Sequence, residues 1–382
     1  MKPLSLLIVS ILVIFGSISP VAAIPADDTS EPECAFPLEV TDASGETISL
    51  DEEPERVVTL NPSAAQIMWE IGAEEKVVGV TKHAMNLEGA EDRTNISTEG
   101  ETINPEIVAS LEPDLVLAPS SQMVTDELVA LLREVGLDVY YYSSASSIAD
   151  VRERTLLTGQ LVGECTGAEE TVEWMDHELA VVEAALDGQE RPGVLYVFFG
   201  FTAGGETFIH EIIEAAGGTN IAANVGVSQY QQINEETVIE ENPDWIVLNT
   251  NSPELPDSEA YETTTAVKEN QTIVVNINQL NRPGPRIVHA IAELAEAFHP
   301  DAYTEAQNEI GTAAEPAPDE PSDVENGTED PSTEEASVEE SASEPPESPE
   351  DQPGFGVATG VVALIITFFG NRRLSSTSGD DV

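Results

Sequence analysis

A short pattern occurs twice in the chain and constrains its fold more than any other feature. Residues 104–108 and 113–117 read NPEIV and PDLVL, and residues 234–238 and 243–247 read NEETV and PDWIV. In both copies Asn can cap a helix, Glu follows near the positive helix N-terminus, and Pro-Asp turns the chain into an apolar strand. The interval from Glu to Pro is seven residues each time. Capping explains the pattern but does not explain why it is duplicated.

Short β-branched runs alternate with helical segments on both sides of a region that lacks strand signals. The predicted strands are residues 57–60, 76–80, 115–118, 137–142, 194–199, 245–248 and 272–276. Residues 146–186 contain no strand signal, and from Ala168 onward apolar residues repeat at helical spacing over about twenty residues, roughly 30 Å of helix. The alternation predicts an α/β fold of two Rossmann-like lobes, each with a parallel-rich sheet, joined by a long backbone helix.

These patterns divide the chain into seven segments. They are a signal peptide (1–23), an N-terminal segment with an edge hairpin (24–52), an N-terminal lobe (53–145), bridging helices (146–190), a C-terminal lobe (191–311), a disordered acidic stalk (312–352) and a sorting tail (353–382). Two local signals refine this division. Residues 42–45 form the predicted turn of the hairpin, and Ser63 with Gln66 predicts a capping box at the first helix of the N-terminal lobe.

The balance of charge restricts the partners of the chain. Fourteen basic residues face 72 acidic ones, a formal net charge of −58. Such a surface repels nucleic-acid phosphates, so we expect no nucleic-acid partner. Hydrophobic residues still make up 41% of the chain, which is enough to build buried cores. The acidity therefore indicates a solvated surface of the kind that halophilic proteins use for solubility.

Both termini carry apolar segments. Lys2, the apolar residues 4–18 and the small residues before position 24 predict an export signal that is cleaved after Ala23. Near the C-terminus, residues 356–370 are uncharged and mostly apolar, and two arginines follow them. Fifteen residues of helix reach only about 22 Å, whereas the hydrocarbon core of a bilayer is about 30 Å thick. This run is short for a permanent membrane span.

The segment before that apolar run favours a surface anchor. Residues 312–352 hold fifteen Asp or Glu and seven Pro, with no Lys, Arg or aromatic residue, so nothing offsets the entropy of ordering them. Pro353-Gly354-Phe355 then precedes the apolar run. This order resembles the PGF-CTERM sorting signal of archaeal surface proteins. The resemblance implies that the tail is removed and the new C-terminus is joined to a lipid.

The chain contains two cysteines, Cys34 and Cys165. An even number in an exported protein favours a disulfide over reactive thiols. The bridge would close 131 residues and stabilise the fold by roughly 5 kcal/mol in the chain-entropy model. Two unpaired buried thiols are the alternative.

No motif in the sequence indicates catalysis. Five histidines are dispersed without metal-ligand spacing: His83, His177, His210, His289 and His299. There is no Gly-x-Ser-x-Gly elbow, no Walker loop and no strand-bounded dinucleotide-binding glycine pattern. We therefore predict a protein that is not an enzyme and has no cofactor or metal of its own.

Two arginines stand out because basic residues are rare in this chain. Arg282 and Arg286 flank Pro-Gly-Pro in a stiff loop just before the last predicted helix. Arginine can hold a carboxylate, a phosphate or an amide oxygen with defined geometry. For Arg286 we favour a structural salt bridge. For Arg282 a structural and a ligand-binding role remain equally open.

Several ordered motifs resemble one family. They are RVVTLNPS at residues 56–63, VVGV at 77–80, Glu106 with the following PDLV, Glu236 with the following PD, and PRI at 285–287. Together they resemble the helical-backbone (class III) substrate-binding proteins of ABC importers over about residues 53–298. The resemblance implies two α/β lobes with the ligand in the cleft between them. It further implies cobalamin or a related corrinoid as ligand, with a ferric siderophore or haem as the alternative.

The resemblance also assigns roles to particular residues. One glutamate on each lobe, Glu106 and Glu236, would dock on the two permease subunits. His83, Tyr230, Asn278 and Arg282 fall on ligand-contacting positions of the cleft. At two further positions that are aromatic in cobalamin binders, this chain has Gly100 and Pro119 instead.

The family resemblance also implies where the protein is located and which partners it has. We expect an exported monomer, held at the outer face of the cytoplasmic membrane by its processed C-terminus. Its partners would be an ABC permease dimer with its ATPase subunits, and a corrinoid small molecule. A surface enzyme or an adhesion module on an acidic stalk is the alternative from a different functional class.

Overall fold

The computed structural model describes residues 34–311. Its strands are β1 (Leu38–Thr41), β2 (Thr47–Leu50), β3 (Val57–Thr59), β4 (Val77–Val80), β5 (Thr94–Asn95), β6 (Leu115–Pro119), β7 (Val139–Tyr142), β8 (Gly193–Tyr196), β9 (Phe201–Ala203), β10 (Thr219–Asn220), β11 (Tyr230–Gln232), β12 (Trp245–Asn249) and β13 (Thr272–Val275). Short 3₁₀ helices cover Glu74–Lys76, Lys82–Ala84 and Ala90–Asp92.

The α-helices occupy most of the connections between the strands. They are α1 (Pro62–Glu70), α2 (Pro105–Ser110), α3 (Asp126–Glu134), α4 (Ile148–Val162), α5 (Cys165–Ala185), α6 (Phe208–Ala215), α7 (Ile221–Asn224), α8 (Glu235–Glu241), α9 (Glu259–Glu262), α10 (Thr265–Lys268), α11 (Ile277–Leu280), α12 (Ile287–Phe298) and α13 (Pro300–Ile310).

Five parallel strands in the order β5-β4-β3-β6-β7 form the sheet of the N-terminal lobe. All residues of β3, β6 and β7 are buried, because helices cover both faces of the sheet. Ile67 and Met68 of α1 belong to the core on one face. Val108 of α2 and Leu132 of α3 belong to the core on the other. This lobe is a doubly covered parallel sheet.

The C-terminal lobe is built in the same way. Its four parallel strands have the order β10-β8-β12-β13, and β9 pairs with β11 in a separate antiparallel ribbon. One core contains Ile212 of α6 and Ile291 of α12, whereas the other contains Val238 of α8 and Ala266 of α10. The predicted α/β fold with parallel sheets in two lobes is therefore confirmed.

The repeated Pro-Asp of the sequence has the same structural task in both lobes. Asp114 Oδ2 accepts a hydrogen bond of 2.9 Å from the backbone N–H of Arg56, immediately before β3. Asp244 Oδ2 accepts one of 2.8 Å from the backbone N–H of Gly193, where β8 begins. Each aspartate thus ties the start of its own strand to the start of the neighbouring parallel strand. The duplication reflects two equivalent strand pairs.

Two consecutive helices, α4 and α5, link the lobes. Val151 of α4 belongs to a C-terminal-lobe core and Leu161 to an N-terminal-lobe core. The chain then reverses, because Gly163 adopts a left-handed φ of 83° and ends α4. In α5, Ala168 lies in the N-terminal-lobe core and Trp174 in the C-terminal-lobe core. Both helices are therefore shared between the cores of the two lobes.

The N-terminal hairpin is fixed to the first lobe by polar contacts. Strands β1 and β2 pair antiparallel as their own two-stranded sheet. The backbone N–H of Ala43 donates to the carbonyl of Tyr141 at 2.9 Å, and the buried Asp42 carboxylate pairs with Arg133. Cys34 and Cys165 form a disulfide with their Cα atoms 5.8 Å apart, which attaches the chain before β1 to the start of α5.

The structure corrects two local expectations. The capping box predicted from Ser63 and Gln66 is wrong, because the helix begins earlier: Asn61 is the cap, and its Oδ1 accepts from the backbone N–H of Ala64 at 2.9 Å. Pro62 suits the first helical position because it lacks an N–H that would go unpaired there. The sequence analysis also did not predict α13, which begins directly after α12.

Some predicted segments lie outside the described residues. These are the signal peptide (1–23), the acidic stalk (312–352) and the sorting tail (353–382). Within residues 34–311, no helix combines the length and the apolar character that crossing a membrane requires.

Candidate functional site

A cavity of about 460 Å³ lies between the two lobes. Its lining from the N-terminal lobe is Pro62, Lys82, His83 and Asn86, and its lining from the C-terminal lobe is Thr250, Asn251, Ile277, Asn278, Asn281 and Arg282. Most of these side chains are polar, and four of them are asparagines. The lining set contains no aspartate or glutamate, although the chain as a whole is strongly acidic.

The topology of the two sheets explains why the cavity forms there. Pro62 follows β3, His83 follows β4, Thr250 follows β12, and Ile277 follows β13. The carboxyl ends of parallel strands meet at one edge of a sheet, and ligands of open α/β sheets bind in the crevice outside that edge. In this protein the carboxyl edges of both sheets contribute to the same cavity.

Arg282 crosses the cavity from the C-terminal lobe to the N-terminal lobe. Its Nη1 donates to Asn86 Oδ1 at 2.7 Å, and its Nη2 donates to the backbone carbonyl of His83 at 2.5 Å. Burial, together with the neighbouring charge of Arg286, lowers the pKa of Arg282 to about 10. The guanidinium therefore stays charged at neutral pH and combines a bridging role with access to the cavity.

Arg286 makes a second link between the lobes. Its Nε donates to Glu70 Oε1 at 2.5 Å, and its backbone N–H donates to Gln66 Oε1 at 3.2 Å. Gly284 approaches α1 so closely that a Cβ there would lie 2.4 Å from Gln66 Oε1. The structural salt bridge expected for Arg286 is thus present, and any larger residue at Gly284 would have to displace the Gln66 side chain.

His83 lies in the 3₁₀ turn after β4, with its side chain 39% exposed. Its Nε2 is 3.6 Å from Glu101 Oε2, and the neighbouring Lys82 also pairs with Glu101. Burial lowers the pKa of His83; the carboxylate of Glu101 opposes this shift, and the charges of Lys82 and Arg282 add to it. Together these effects favour the uncharged form of the ring.

Asn278 is positioned by the helix that follows β13. Asn276 caps α11 by accepting a hydrogen bond of 3.0 Å from the backbone N–H of Asn278. The amide of Asn278 is thereby held in the cavity wall beside Asn281 and Arg282. The structure brings three of the four predicted ligand residues, His83, Asn278 and Arg282, to one cavity.

Tyr230, the fourth predicted ligand residue, is not in the lining set of this cavity. It lies in β11 with 40% of its surface exposed and meets Phe198 edge-on, with the ring centroids 5.7 Å apart. Phe198 stacks on Tyr196, whose hydroxyl lies 3.5 Å from Asn281 Oδ1. An aromatic row therefore runs from Tyr230 to the cavity wall. Burial raises the pKa of Tyr230 to about 12, so its hydroxyl stays protonated.

Phe199 is an exposed aromatic residue after β8 that the sequence analysis did not single out. This side chain is 70% exposed, and its backbone has a left-handed φ of 46°, which is unusual for a bulky residue. Its N–H donates to Ser252 Oγ at 3.0 Å, two residues after Thr250 of the cavity lining. Non-glycine residues in such sparsely populated backbone regions cluster at functional sites. The run of Phe198, Phe199 and Phe201 around Gly200 was the available signal.

Glu106 and Glu236 have matching environments. Each is exposed in the first turn of a short helix. The backbone N–H of Glu106 donates to Asn104 Oδ1 at 3.0 Å, and that of Glu236 donates to Asn234 Oδ1 at 3.0 Å. The caps fix both backbones and leave both carboxylates in solvent. Neither glutamate lines the cavity between the lobes.

The described residues offer no metal centre: within residues 34–311, no three His, Cys, Asp or Glu side chains are grouped so as to hold an ion. The cavity instead presents amides, a guanidinium, an ammonium and an imidazole, which suit recognition of a polar organic molecule.

Comparison with known proteins identifies the family. Residues 57–276 match the periplasmic binding protein family. The chain belongs to this family. A cobalamin-binding protein of Halobacterium salinarum is 43% identical over 279 residues, which are 70% of this chain and 75% of that protein. Membership places the protein outside the cytoplasm.

Two further similarities agree with this family. An uncharacterized ABC transporter substrate-binding lipoprotein of Bacillus subtilis, YvrC, is 28% identical over 71% of this chain and 88% of that protein. The solved structure of the haem-binding protein RhuT from Roseiflexus sp. RS-1, in apo form, has a TM-score of 0.58 and 25% identity, covering 65% of this chain and 99% of that one. The relatives are named as binding proteins rather than as enzymes.

Proposed function

We propose that this protein captures cobalamin or a related corrinoid outside the cell membrane and delivers it to the permease of an ABC importer, without chemistry of its own. The observation that carries the proposal is the polar cavity between the lobes, to which the carboxyl ends of both sheets contribute. The name of the 43% identical relative supports the choice of ligand class, and that of the B. subtilis relative supports the transport role.

The chemistry of the lining favours a corrinoid. Corrinoids carry several carboxamide side chains around a flat ring, and carboxamides pair well with one another because each has donors and an acceptor. The cavity provides four such partners in Asn86, Asn251, Asn278 and Asn281, with Arg282 among them. Phe199 and Tyr230 add aromatic surface beside the C-terminal lobe wall, which suits a flat macrocycle.

Haem or a ferric siderophore is the second candidate, because the solved structure at 25% identity is that of a haem-binding protein. Haem carries two carboxylates and would use the positive charges of Arg282 and Lys82 instead of the amides. A thermal-shift panel of cyanocobalamin, cobinamide, haem and ferric siderophores, run on the mature protein in molar salt, separates the candidates.

In that panel, a ligand present at 100 times its dissociation constant adds about 2.7 kcal/mol to the free energy of unfolding. For a domain of this size the melting temperature then rises by roughly 5 to 10 °C. We expect this rise with the corrinoids and not with haem or siderophores. A rise in melting temperature with haem alone would make haem the transported ligand. No rise with any compound would contradict both candidate ligands.

The capped glutamates support a docking role. An importer permease formed by two subunits related by a twofold axis presents the same surface twice, so a binding protein with two similar lobes needs one matching acidic group on each. Glu106 and Glu236 are exposed, equivalently capped and absent from the cavity lining. We therefore assign Glu106 and Glu236 to the contact with the two permease subunits. The ATPase subunits of the importer would drive transport through that permease.

The termini complete the proposal. Cleavage after residue 23 would export the chain, and removal of the tail that begins at residue 353 would leave the stalk joined to a membrane lipid. This assignment is supported by the order of stalk, Pro-Gly-Phe, apolar run and arginine pair. Intact-mass analysis of protein extracted from cells should show a lipid adduct and no residues 372–373. A mass that includes the encoded C-terminus would contradict the anchor.

A further inference from the structure

We infer that His83 coordinates the metal of the captured corrinoid through its imidazole, as an axial ligand supplied by the N-terminal lobe. This inference rests on the proposed function, because it assigns a metal-containing macrocycle to the cavity. The inference adds one bond, from the imidazole to cobalt, to the amide and aromatic contacts already described. Such a bond would make the protein distinguish corrinoids by the group on the upper face of their cobalt.

The first argument is the state of the ring. His83 lines the cavity, and within residues 34–311 neither of its ring nitrogens has a hydrogen-bond partner inside 3.5 Å. A neutral imidazole carries a lone pair on one nitrogen and is the commonest protein ligand for transition metals. An uncommitted imidazole in a ligand cavity is therefore available to coordinate.

The second argument is the carboxylate beside the ring. Metal-bound histidines usually donate their other ring N–H to a carboxylate or carbonyl, which orients the ring and raises its basicity. Glu101 Oε2 lies 3.6 Å from His83 Nε2, so a small approach gives that hydrogen bond and leaves Nδ1 with the lone pair. Lys82 holds Glu101 in place, and the Glu101 backbone has a left-handed φ of 67°. The carboxylate is therefore positioned at some conformational cost.

The third argument is the arrangement of the two cavity walls. His83 lines the cavity from the N-terminal lobe, whereas the exposed aromatic residues Tyr230 and Phe199 lie on the C-terminal lobe, outside the lining set. A flat macrocycle between the lobes has one face toward each wall. We place the His83 imidazole against the middle of the macrocycle face that is turned toward the N-terminal lobe, where it would meet the metal.

The step is a ligand exchange without electron transfer. The imidazole lone pair forms a bond to Co(III), the bond from cobalt to its bound water breaks, and that water leaves. Aquocobalamin permits this exchange because its water is labile. Cyanocobalamin resists it because cyanide is a strong ligand. The two compounds share their remaining contacts with the protein, so their difference isolates the metal bond.

The experiment is a titration of the mature protein with aquocobalamin and with cyanocobalamin, followed by visible absorption. We expect the cobalt-sensitive bands of aquocobalamin to shift on binding, and those of cyanocobalamin to stay in place. His83→Phe keeps a ring of similar size without the lone pair; it should abolish the shift and weaken aquocobalamin binding at least about 10-fold. Cyanocobalamin keeps its own upper ligand, so the same variant should weaken its binding clearly less than that of aquocobalamin.

A matched control and a second variant sharpen the result. His177 lies in α5, outside the cavity lining, so His177→Phe should leave both titrations unchanged. Glu101→Gln should weaken aquocobalamin binding selectively, because a neutral amide supports the imidazole less well than a carboxylate. The wild-type spectrum decides the main question even if a variant folds poorly.

Three outcomes would overturn the inference. Binding of aquocobalamin by wild-type protein without a band shift excludes coordination while leaving the proposed function intact. Equal weakening of both corrinoids by His83→Phe assigns His83 to packing. Failure of both corrinoids to bind removes the proposed function itself, and the metal bond with it.

Discussion

Arg282 and Asn86 are 196 positions apart in the chain and belong to different lobes, yet the guanidinium Nη1 donates to Asn86 Oδ1 at 2.7 Å. The same guanidinium reaches the His83 carbonyl. Both acceptors belong to the turn after β4, and all three residues line the cavity. An incoming ligand therefore meets a guanidinium that already connects the lobes, and it can exchange one of these hydrogen bonds for its own.

Replacing Arg282 should affect binding more than stability. We expect Arg282→Ala to weaken corrinoid binding roughly 10- to 100-fold, because a hydrogen bond to a charged group contributes about 1.5–3 kcal/mol. Arg286→Ala is the matched comparison in the same loop. It removes a partner of the buried Glu70 carboxylate, so it should cost about 1–3 kcal/mol of unfolding free energy and weaken binding less. Titration and urea unfolding of both variants check this, and the opposite ranking would contradict it.

The double variant Glu106→Ala, Glu236→Ala should bind corrinoid normally and fail in uptake. Each glutamate is exposed near a helix N-terminus, where an acid contributes only about 0.3–1 kcal/mol, so the fold should tolerate the changes. Neighbouring Glu235→Ala with Glu112→Ala is a control of equal charge. Uptake of labelled cobalamin by cells measures the effect, and normal uptake by the double variant would remove the docking assignment.

Tyr230 should contribute to binding through its ring. Tyr230→Ala is expected to weaken corrinoid binding roughly 5- to 30-fold, because covering part of an aromatic side chain stabilises a complex by about 1–2 kcal/mol. Tyr230→Phe keeps the ring and should stay within about threefold of wild type. Because Tyr230 is 40% exposed, the melting temperature should hardly change. Full-strength binding by the alanine variant would exclude Tyr230 from the site.

Removing the disulfide should destabilise the fold without changing the site. Cys34→Ser with Cys165→Ser opens a loop of 131 residues, and the chain-entropy model expects a loss of about 5 kcal/mol in unfolding free energy. Denaturant unfolding with and without reductant measures this loss. The disulfide is remote from the cavity lining, so corrinoid affinity measured on the folded double variant should match wild type. A variant as stable as wild type would contradict the structural role.

His299 should make stability depend on pH. It is buried between α12 and α13, and its Nε2 has no hydrogen-bond partner within residues 34–311. Burial lowers the pKa of His299; the nearby Gly217 backbone opposes this shift, and the charge of Arg191 adds to it. The unfolded chain then takes up a proton near pH 6.5, before the folded protein does, so the free energy of unfolding falls as the pH drops below about 6.5.

The matched variant for this effect is His299→Gln. Between about pH 7 and pH 5, wild type should lose more stability than the variant, and the difference between the two isolates His299 from the many carboxylates. Urea unfolding across this range is the measurement. Parallel loss in both proteins would show that His299 does not contribute.

Local patterns in the sequence were sufficient to predict much of the fold. The predicted final helix at residues 287–298 coincides with α12, because its apolar residues repeat at helical spacing and a Pro-Gly-Pro loop precedes it. The duplicated Asn caps and Pro-Asp turns also form as expected, since each depends on contacts within a few residues or with an adjacent parallel strand.

Features that depend on distant contacts could not be predicted. Nothing near Arg282 in the sequence indicates that its partners are Asn86 and the His83 carbonyl, because only the packing of the lobes brings them together. The aromatic run around Gly200 marked this loop but did not indicate that Phe199 is exposed, since an apolar run between strands usually indicates burial. The helix α13 was missed because most of its residues are polar, and it is stabilised by packing on α5 and α12.

Equilibrium titration of the mature exported protein with cyanocobalamin in molar salt, with haem as competitor, tests the central claim most directly. Our account predicts saturable binding of one corrinoid per chain, which an equal concentration of haem does not displace. Absence of saturable corrinoid binding, or its displacement by haem, would contradict the account.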